Sequence, residues 1–298
     1  MRPTLKGYTY ALLATVAVST VYIFSKAALN EVSLAQFGVY WFAMALLWHG
    51  LFALRSEENR RFRVASRKSF KILLLLGLIE IIATGAFYGA IAITPNPAIP
   101  SFLRNLEYIF ITLFGIFLLK ENFTKTEILG IVLTFAGAFV ISYQKDAPLM
   151  AYISGTSGLM LISTLFYGVR TLVAKKNILT ITPTMLAVNR AIFLLAASFL
   201  FLKVLDQSLF IPTSALLNIA LGSFLGPFLT SYSQYSALKY IEASRASIVQ
   251  STTAFFVLVG AYLFFGKFPA GFELAGGLMT IIGVLILLVN KKLAKAWF

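Results

Sequence analysis

The 298-residue sequence has no cysteine and only one histidine, His49. Without cysteine there is no disulfide framework, no thiol chemistry and no thiolate metal site. A lone histidine beside a basic stretch of chain reads as an interfacial residue rather than a ligand or base. Charge is scarce too: 12% of residues are charged, and 11 acidic residues face 25 basic ones. Hydrolytic and metal-dependent catalysis therefore lack their usual groups, so the chain is not expected to be an enzyme and no cofactor is expected. No nucleotide-binding loop of the Walker type occurs, which argues against an ATP-driven pump.

Apolar residues are plentiful. They make up 59% of the chain, more than a soluble domain can bury, so lipid must be part of the solvent. In lipid only helices and closed barrels satisfy every backbone group. The apolar runs are about 20 residues long and apolar all round, which suits helices crossing a ~30 Å hydrocarbon core; barrel strands would alternate every second residue. The fold class is thus predicted to be an all-α membrane protein of ten transmembrane helices. They lie near Gly7–Leu29, Leu34–Leu54, Phe70–Ile93, Ala98–Leu119, Thr126–Ser142, Ala151–Ala174, Pro183–Leu205, Ala215–Leu238, Ser244–Phe265 and Gly271–Val289. The first run is too long for a signal-peptide core and has no small-x-small cleavage site, so it reads as a retained helix.

The longest connection, Arg55–Ser69, carries Arg60, Arg61, Arg63, Arg67 and Lys68. Between two spans such a run is a cytoplasmic retention signal, and no nucleic-acid partner is inferred. With the N-terminus inside, only Lys145, Lys203 and Lys267 fall outside, and Lys26, Arg104, Arg170 and Arg190 lie within apolar runs. All other basic residues are inside, which sets both termini in the cytoplasm. The net charge of +14 then reflects topology rather than an anionic partner.

The two halves repeat. Ser19-Thr20 with Lys26 returns as Ser163-Thr164 with Arg170, Tyr88-Gly-Ala90 as Tyr235-Ser-Ala237, and Glu127-Ile-Leu-Gly130 as Glu273-Leu-Ala-Gly276. Three matches in order at a nearly constant offset define repeats over 1–146 and 147–298. Five helices is an odd number, so the second copy enters from the opposite face. This inverted plan belongs to secondary transporters, whose solute site lies near midplane between the repeats.

Phe24-Ser25-Lys26, Asn105-Leu106-Glu107, Tyr235-Ser-Ala-Leu-Lys-Tyr240 and Leu118-Leu-Lys-Glu121 followed by Glu127-x-x-Gly130 resemble the drug/metabolite transporter superfamily, specifically its EamA-type branch. The resemblance covers nearly the whole chain and implies the architecture of a solute carrier more than any one substrate. Three positions depart from the family pattern. Val18 stands where a tryptophan is usual, Trp41 where an arginine is usual and Tyr108 where a proline is usual; Arg190 keeps the arginine in the second copy.

Charges at bilayer depth are costly and so face protein, water or the headgroups. Arg104 and Glu107 are three residues apart on one helical face with Asn105 beside them. They form either a self-neutralising pair or, better explained, the wall of a hydrated cavity that meets solute or proton, Glu107 foremost. Glu80, among Ile79, Ile81 and Ile82, is either a neutral acid able to carry a proton or the partner of a buried arginine such as Arg190. Arg190 offers a planar fork to a carboxylate or phosphate, or braces helix carbonyls. Lys26 and Arg170 either snorkel to the headgroups or guard two cavity mouths. Some of Gln250, Ser251, Thr252 and Thr253 are expected to line the central space, with Tyr22, Trp41, Tyr88, Tyr108, Tyr232 and Tyr235 as aromatic walls. Gly130, Gly137, Gly276 and Gly283 recur every seven residues and predict close helix contact. Pro95, Pro97 and Pro100 stiffen a hairpin turn.

These residues predict a gradient-driven carrier, monomeric or homodimeric, in a prokaryotic cytoplasmic membrane. Its partners would be the lipid bilayer, a small polar solute with amino acids first, and protons as coupling ion. An organic-phosphate or anion exchanger using Arg104, Arg190 and Lys26 is the alternative within transport, and a non-transporting membrane protein the alternative outside it.

Overall fold

A computed structural model describes residues 3–53, 66–119, 124–143 and 155–295. Most of the basic connection Arg55–Ser69, the Lys120-Glu121 pair and the expected start of the sixth run at Ala151 lie outside the described residues. The described residues form helices joined by short connections: α1 (Pro3–Leu29), α2 (Leu34–Ala53), α3 (Arg67–Ile93), α4 (Ala98–Leu103), α5 (Leu106–Leu119), α6 (Lys125–Ser142) and α7 (Thr156–Asn177) are followed by α8 (Pro183–Val204) and α9 (Thr213–Ser223). A π-helical turn (Phe224–Thr230) then leads into α10 (Ser231–Tyr240), α11 (Ala243–Gln250), α12 (Thr253–Phe265) and α13 (Gly271–Lys295).

Several ends have local causes. Ser66 accepts from the Ser69 amide at the start of α3, and Thr182 accepts from the Met185 amide at the start of α8, where Pro183 takes a position that needs no amide donor. Gly266 ends α12 in the left-handed region at φ 62°.

Among the described residues six helical bodies are long and apolar enough to cross a membrane: α1, α2, α3, α7, α8 and the continuous stretch Thr213–Tyr240. Shorter apolar helices occupy Ile128–Ile141, Thr253–Phe265 and Gly271–Ile286. Burial is inverted relative to a soluble protein. Leu200, Leu263 and Phe264 are 63%, 72% and 66% exposed, while Glu80, Arg104, Glu107 and Arg170 are buried. Only an apolar solvent makes that arrangement favourable.

The fourth and ninth runs, expected as single helices, are each broken in two. At the first break the Asn105 amide donates to Phe102 O (3.1 Å) and the Tyr108 amide to Asn105 O (3.2 Å); at the second, Thr252 donates to Val249 O (3.3 Å) and Phe255 to Thr252 O (3.1 Å). Each bond spans three residues instead of four, the tighter pattern of a 3₁₀ turn. Residues 102, 105 and 108 correspond to 249, 252 and 255 at the offset that relates Tyr88 to Tyr235, so the same break occurs in both halves.

Helix α3 packs along α7, α2 along α8, and α6 along α13, while α1 lies against α9, α10 and α12. The α6–α13 contact is made backbone to backbone. A Cβ on Gly137 would stand 2.6 Å from Gly276 O, and one on Gly276 2.7 Å from Gly137 O. The seven-residue glycine pattern thus serves close packing, as the sequence predicts. Proline in the interior of a helix removes a donor, and Pro227 falls within the π turn; there the Thr230 hydroxyl donates to Leu225 O (2.8 Å).

Candidate functional site

Helix α3 carries Glu80, Thr84 and Tyr88 at four-residue spacing, hence on one face. It turns that face to Tyr167 and Arg170 of α7, Arg190 of α8 and Tyr235 of α10, and Ser231 of α10 joins through Arg190. The α4–α5 break brings Arg104 and Glu107 alongside α7. Both repeats therefore contribute to one buried polar cluster.

Its centre is Glu80, 1% exposed. One carboxylate oxygen accepts from Tyr235 OH (3.1 Å) and Arg170 Nη1 (3.3 Å); the other accepts from Thr84 Oγ1 (2.8 Å) and Arg190 Nε (2.9 Å). Arg190 also donates through Nη1 to Ser231 Oγ (2.6 Å) and through Nη2 to Thr84 Oγ1 (3.2 Å). Ser231 is the repeat counterpart of Thr84 at the same offset of the breaks, so equivalent hydroxyls from the two halves clamp one guanidinium. Of the two readings of Glu80, the structure displays the partner of Arg190.

From Arg170 the cluster continues to Glu107, whose Oε1 lies 3.6 Å from Arg170 Nη2 and accepts from Thr171 Oγ1 at 3.4 Å. Glu107 Oε2 lies 3.2 Å from Arg104 Nη2 but makes no hydrogen bond among the described residues. Arg170 Nε is likewise without a hydrogen-bond partner there. Arg104 and Arg170 both sit against the Tyr167 ring, at 4.8 and 4.5 Å from its centroid. Buried guanidiniums over aromatic faces keep attraction that water would screen.

Three guanidiniums thus meet two carboxylates, and the cluster is one positive charge in excess. Two small cavities, each about 20 Å³, flank Arg170 and Gln234. One is bounded by Glu107, Tyr235 and Gln250 on the α11 side. The other is bounded by Arg104, Arg170, Arg190, Tyr88, Tyr167 and Thr230, with no carboxylate in its wall among the described residues. Each has room for about one water.

Several sequence expectations change. Arg170, expected near headgroups or at a gate mouth, is 5% exposed at the middle of the cluster; two carboxylates offer its charge better company than a climb to the interface. His49, expected at the interface, is 1% exposed, with Nε2 3.4 Å from Pro227 O and its ring edge-on to Phe228. Lys26 stands apart from the cluster and donates to Ala92 O (3.0 Å), capping the last turn of α3. Lys26→Met should therefore lower stability by about 1 kcal/mol, read as a melting shift in detergent, and leave transport rates near wild type.

Asn105 faces away from the cluster and donates to Thr280 Oγ1 (3.1 Å) on α13, fastening the α4–α5 break. Gln250 joins the cluster's edge through Gln234, whose Nε2 donates to its Oε1 at 3.1 Å. Thr253 is buried and borders neither small cavity. Tyr88 borders the arginine-lined cavity within an aromatic nest of Phe37, Trp41, Phe42 and Phe87. Thr84, Tyr167, Thr171, Ser231 and Gln234 escaped sequence reasoning. The spacing of Thr84 four residues beyond Glu80, and of Tyr167 three before Arg170, is the signal that points to them.

Comparison with known proteins gives three results. The model of the EamA-like transporter family matches residues 5–143 and again 156–289. No curated protein matches the sequence. A solved protein crystal structure is similar over 95% of this chain and 94% of its own, with a TM-score of 0.68 at 16% identity, a likeness of fold. A chain with two family matches covering most of its length, several apolar helices fit to span a bilayer and a buried charged centre is a multi-pass membrane protein, and it belongs to the EamA-like transporter family.

Proposed function

We propose that the protein is a ten-span secondary transporter, built as inverted repeats over 1–146 and 147–298 with both termini cytoplasmic. It exports or exchanges a small polar metabolite bearing a carboxylate, amino acids first, by alternating access. The observation that carries this is the cavity walled by Arg104, Arg170 and Arg190 without a carboxylate. A solute carboxylate there cancels the cluster's excess charge and finds forked donors in a water-poor site. The matching breaks at Arg104–Asn105 and Ser251–Thr252 support the inverted plan, since interrupted helices flank the solute site in such carriers.

Counterflow of labelled amino acids into proteoliposomes tests this. Uptake above protein-free liposomes is expected, and Arg104→Ala should remove it. Counterflow of sugar phosphates without any of amino acids would move the assignment to a phosphate exchanger, which the same excess charge favours as the second reading. Protons are proposed to couple through Glu107, whose Oε2 makes no hydrogen bond among the described residues. Glu107→Gln should abolish pH-driven accumulation, and wild-type pH dependence in that variant would sink the coupling.

A further inference from the structure

A second, larger void adjoins the cluster. Helices α2, α3 and α8 enclose a groove of about 440 Å³, walled by Phe37, Ile81, Leu194 and Phe201, and its inner wall includes Thr84 and Tyr88. Those two residues belong to the cluster: Thr84 bonds Glu80 and Arg190, and Tyr88 borders the arginine-lined cavity. Near the groove's Leu34 and Leu205 end, polar bonds bind the start of α2 to the segment after α8. Ser33 Oγ donates to Gln207 Oε1 (2.6 Å), and Gln36 Nε2 to Ser208 O (2.9 Å).

Gly85 borders the groove, and a Cβ there would meet nothing within 4 Å. Its counterpart at the 147-residue offset is Tyr232, a large side chain whose ring packs against Tyr10 (6.1 Å) and Phe52 (5.2 Å). In an inverted repeat, the two halves exchange shapes during the cycle, so such asymmetry marks where free volume moves. The arginine-lined cavity holds about one water and cannot hold a metabolite. The adjoining groove supplies volume and an apolar lining.

We propose that this groove receives the apolar side chain of the solute whose carboxylate the arginines hold, so that the preferred substrate is an amphipathic carboxylate. This rests on the proposed function. It commits the solute to two ends of unlike character that meet at Tyr88, which borders both spaces.

Gly85→Leu fills the groove without touching the charged cluster, and leucine is a better helix former than glycine. Ala197→Leu fills it from α8. Each variant is compared with wild type and Gly85→Ala in proteoliposome counterflow of labelled leucine and labelled glycine. In both leucine variants, leucine counterflow should fall about tenfold or more, the scale of one or two displaced methylene contacts, while glycine counterflow stays within about twofold of wild type. Equal loss for the two solutes would overturn the proposal and give the groove to a bilayer acyl chain. Unchanged leucine counterflow in both variants would overturn it as well. If wild type moves neither solute, the carboxylate reading of the site fails and takes this inference with it.

Discussion

Glu80→Gln should cost the protein about 3–5 kcal/mol, the range for removing one member of a buried ion pair, and should abolish transport. Glutamine keeps the length of the side chain but has one oxygen where Glu80 has two, so it can accept from Thr84 or from Tyr235 and turns an NH2 group to the other. It cannot compensate the guanidiniums of Arg170 and Arg190, which lie 3.3 and 2.9 Å from the carboxylate. Three arginines would then face Glu107 alone, and neither guanidinium can reach water without breaking the contacts of α3 with α7 and α8. The loss should be read as a drop in melting temperature of detergent-purified protein, beside counterflow. Pairing the substitution with Arg170→Gln restores the original charge excess and should recover much of the melting temperature while transport stays absent. A Glu80→Gln protein that melts with wild type would mean that the cluster contributes specificity and no stability.

The contrast between Glu80 and Arg170 shows what a sequence of this kind discloses. Helix ends were legible where a local cue fixed them. The starts at Leu34, Ala98, Pro183 and Gly271 coincide with the expected ones because polar or proline-rich breaks precede them. Glu80 was recognisable as a buried acid, since isoleucines surround it in sequence. Of its partners the sequence suggests Arg190 but not Arg170, because they lie 110 and 90 residues away and only the fold brings them to it. Arg170 itself looked able to climb to the headgroups, yet Lys175 and Lys176 already supply the positive helix end. The breaks within the fourth and ninth runs were invisible to hydropathy, which sums over about 20 residues and does not register which carbonyl an amide chooses. Thr280 shows how one of them is maintained: it takes the Asn105 amide nitrogen at 3.1 Å and donates to Gly277 O at 2.7 Å, from a helix 175 residues away. His49 was misplaced for the same reason, its environment being the π turn around Pro227 rather than its neighbours in sequence.

The glycine seam should be the least tolerant surface outside the charged cluster. On Gly276 a Cβ would meet Gly137 O at 2.7 Å, the Cγ1 of Ile141 at 2.9 Å and the Ile141 amide nitrogen at 3.0 Å; on Gly137 it would meet Gly276 O at 2.6 Å and the Thr280 amide nitrogen at 2.8 Å. Backbone atoms in hydrogen-bonded helices cannot swing aside as a side chain does, so any side chain at either position must push α6 and α13 apart. Gly276→Leu is therefore expected to cost at least the 1–3 kcal/mol usual for overpacking, and about as much again if the Asn105–Thr280 bond is lost as α13 shifts. That bond links the seam to the site. Displacing Thr280 frees the α4–α5 break, and Arg104 and Glu107 stand immediately beside it. Gly276→Leu should thus lower the melting temperature and reduce solute affinity together, whereas Gly271→Leu, where a Cβ meets nothing within 4 Å, should change neither. A Gly276→Leu protein with lowered stability and unaltered affinity would separate the seam from the site and leave Asn105 a purely local fastening.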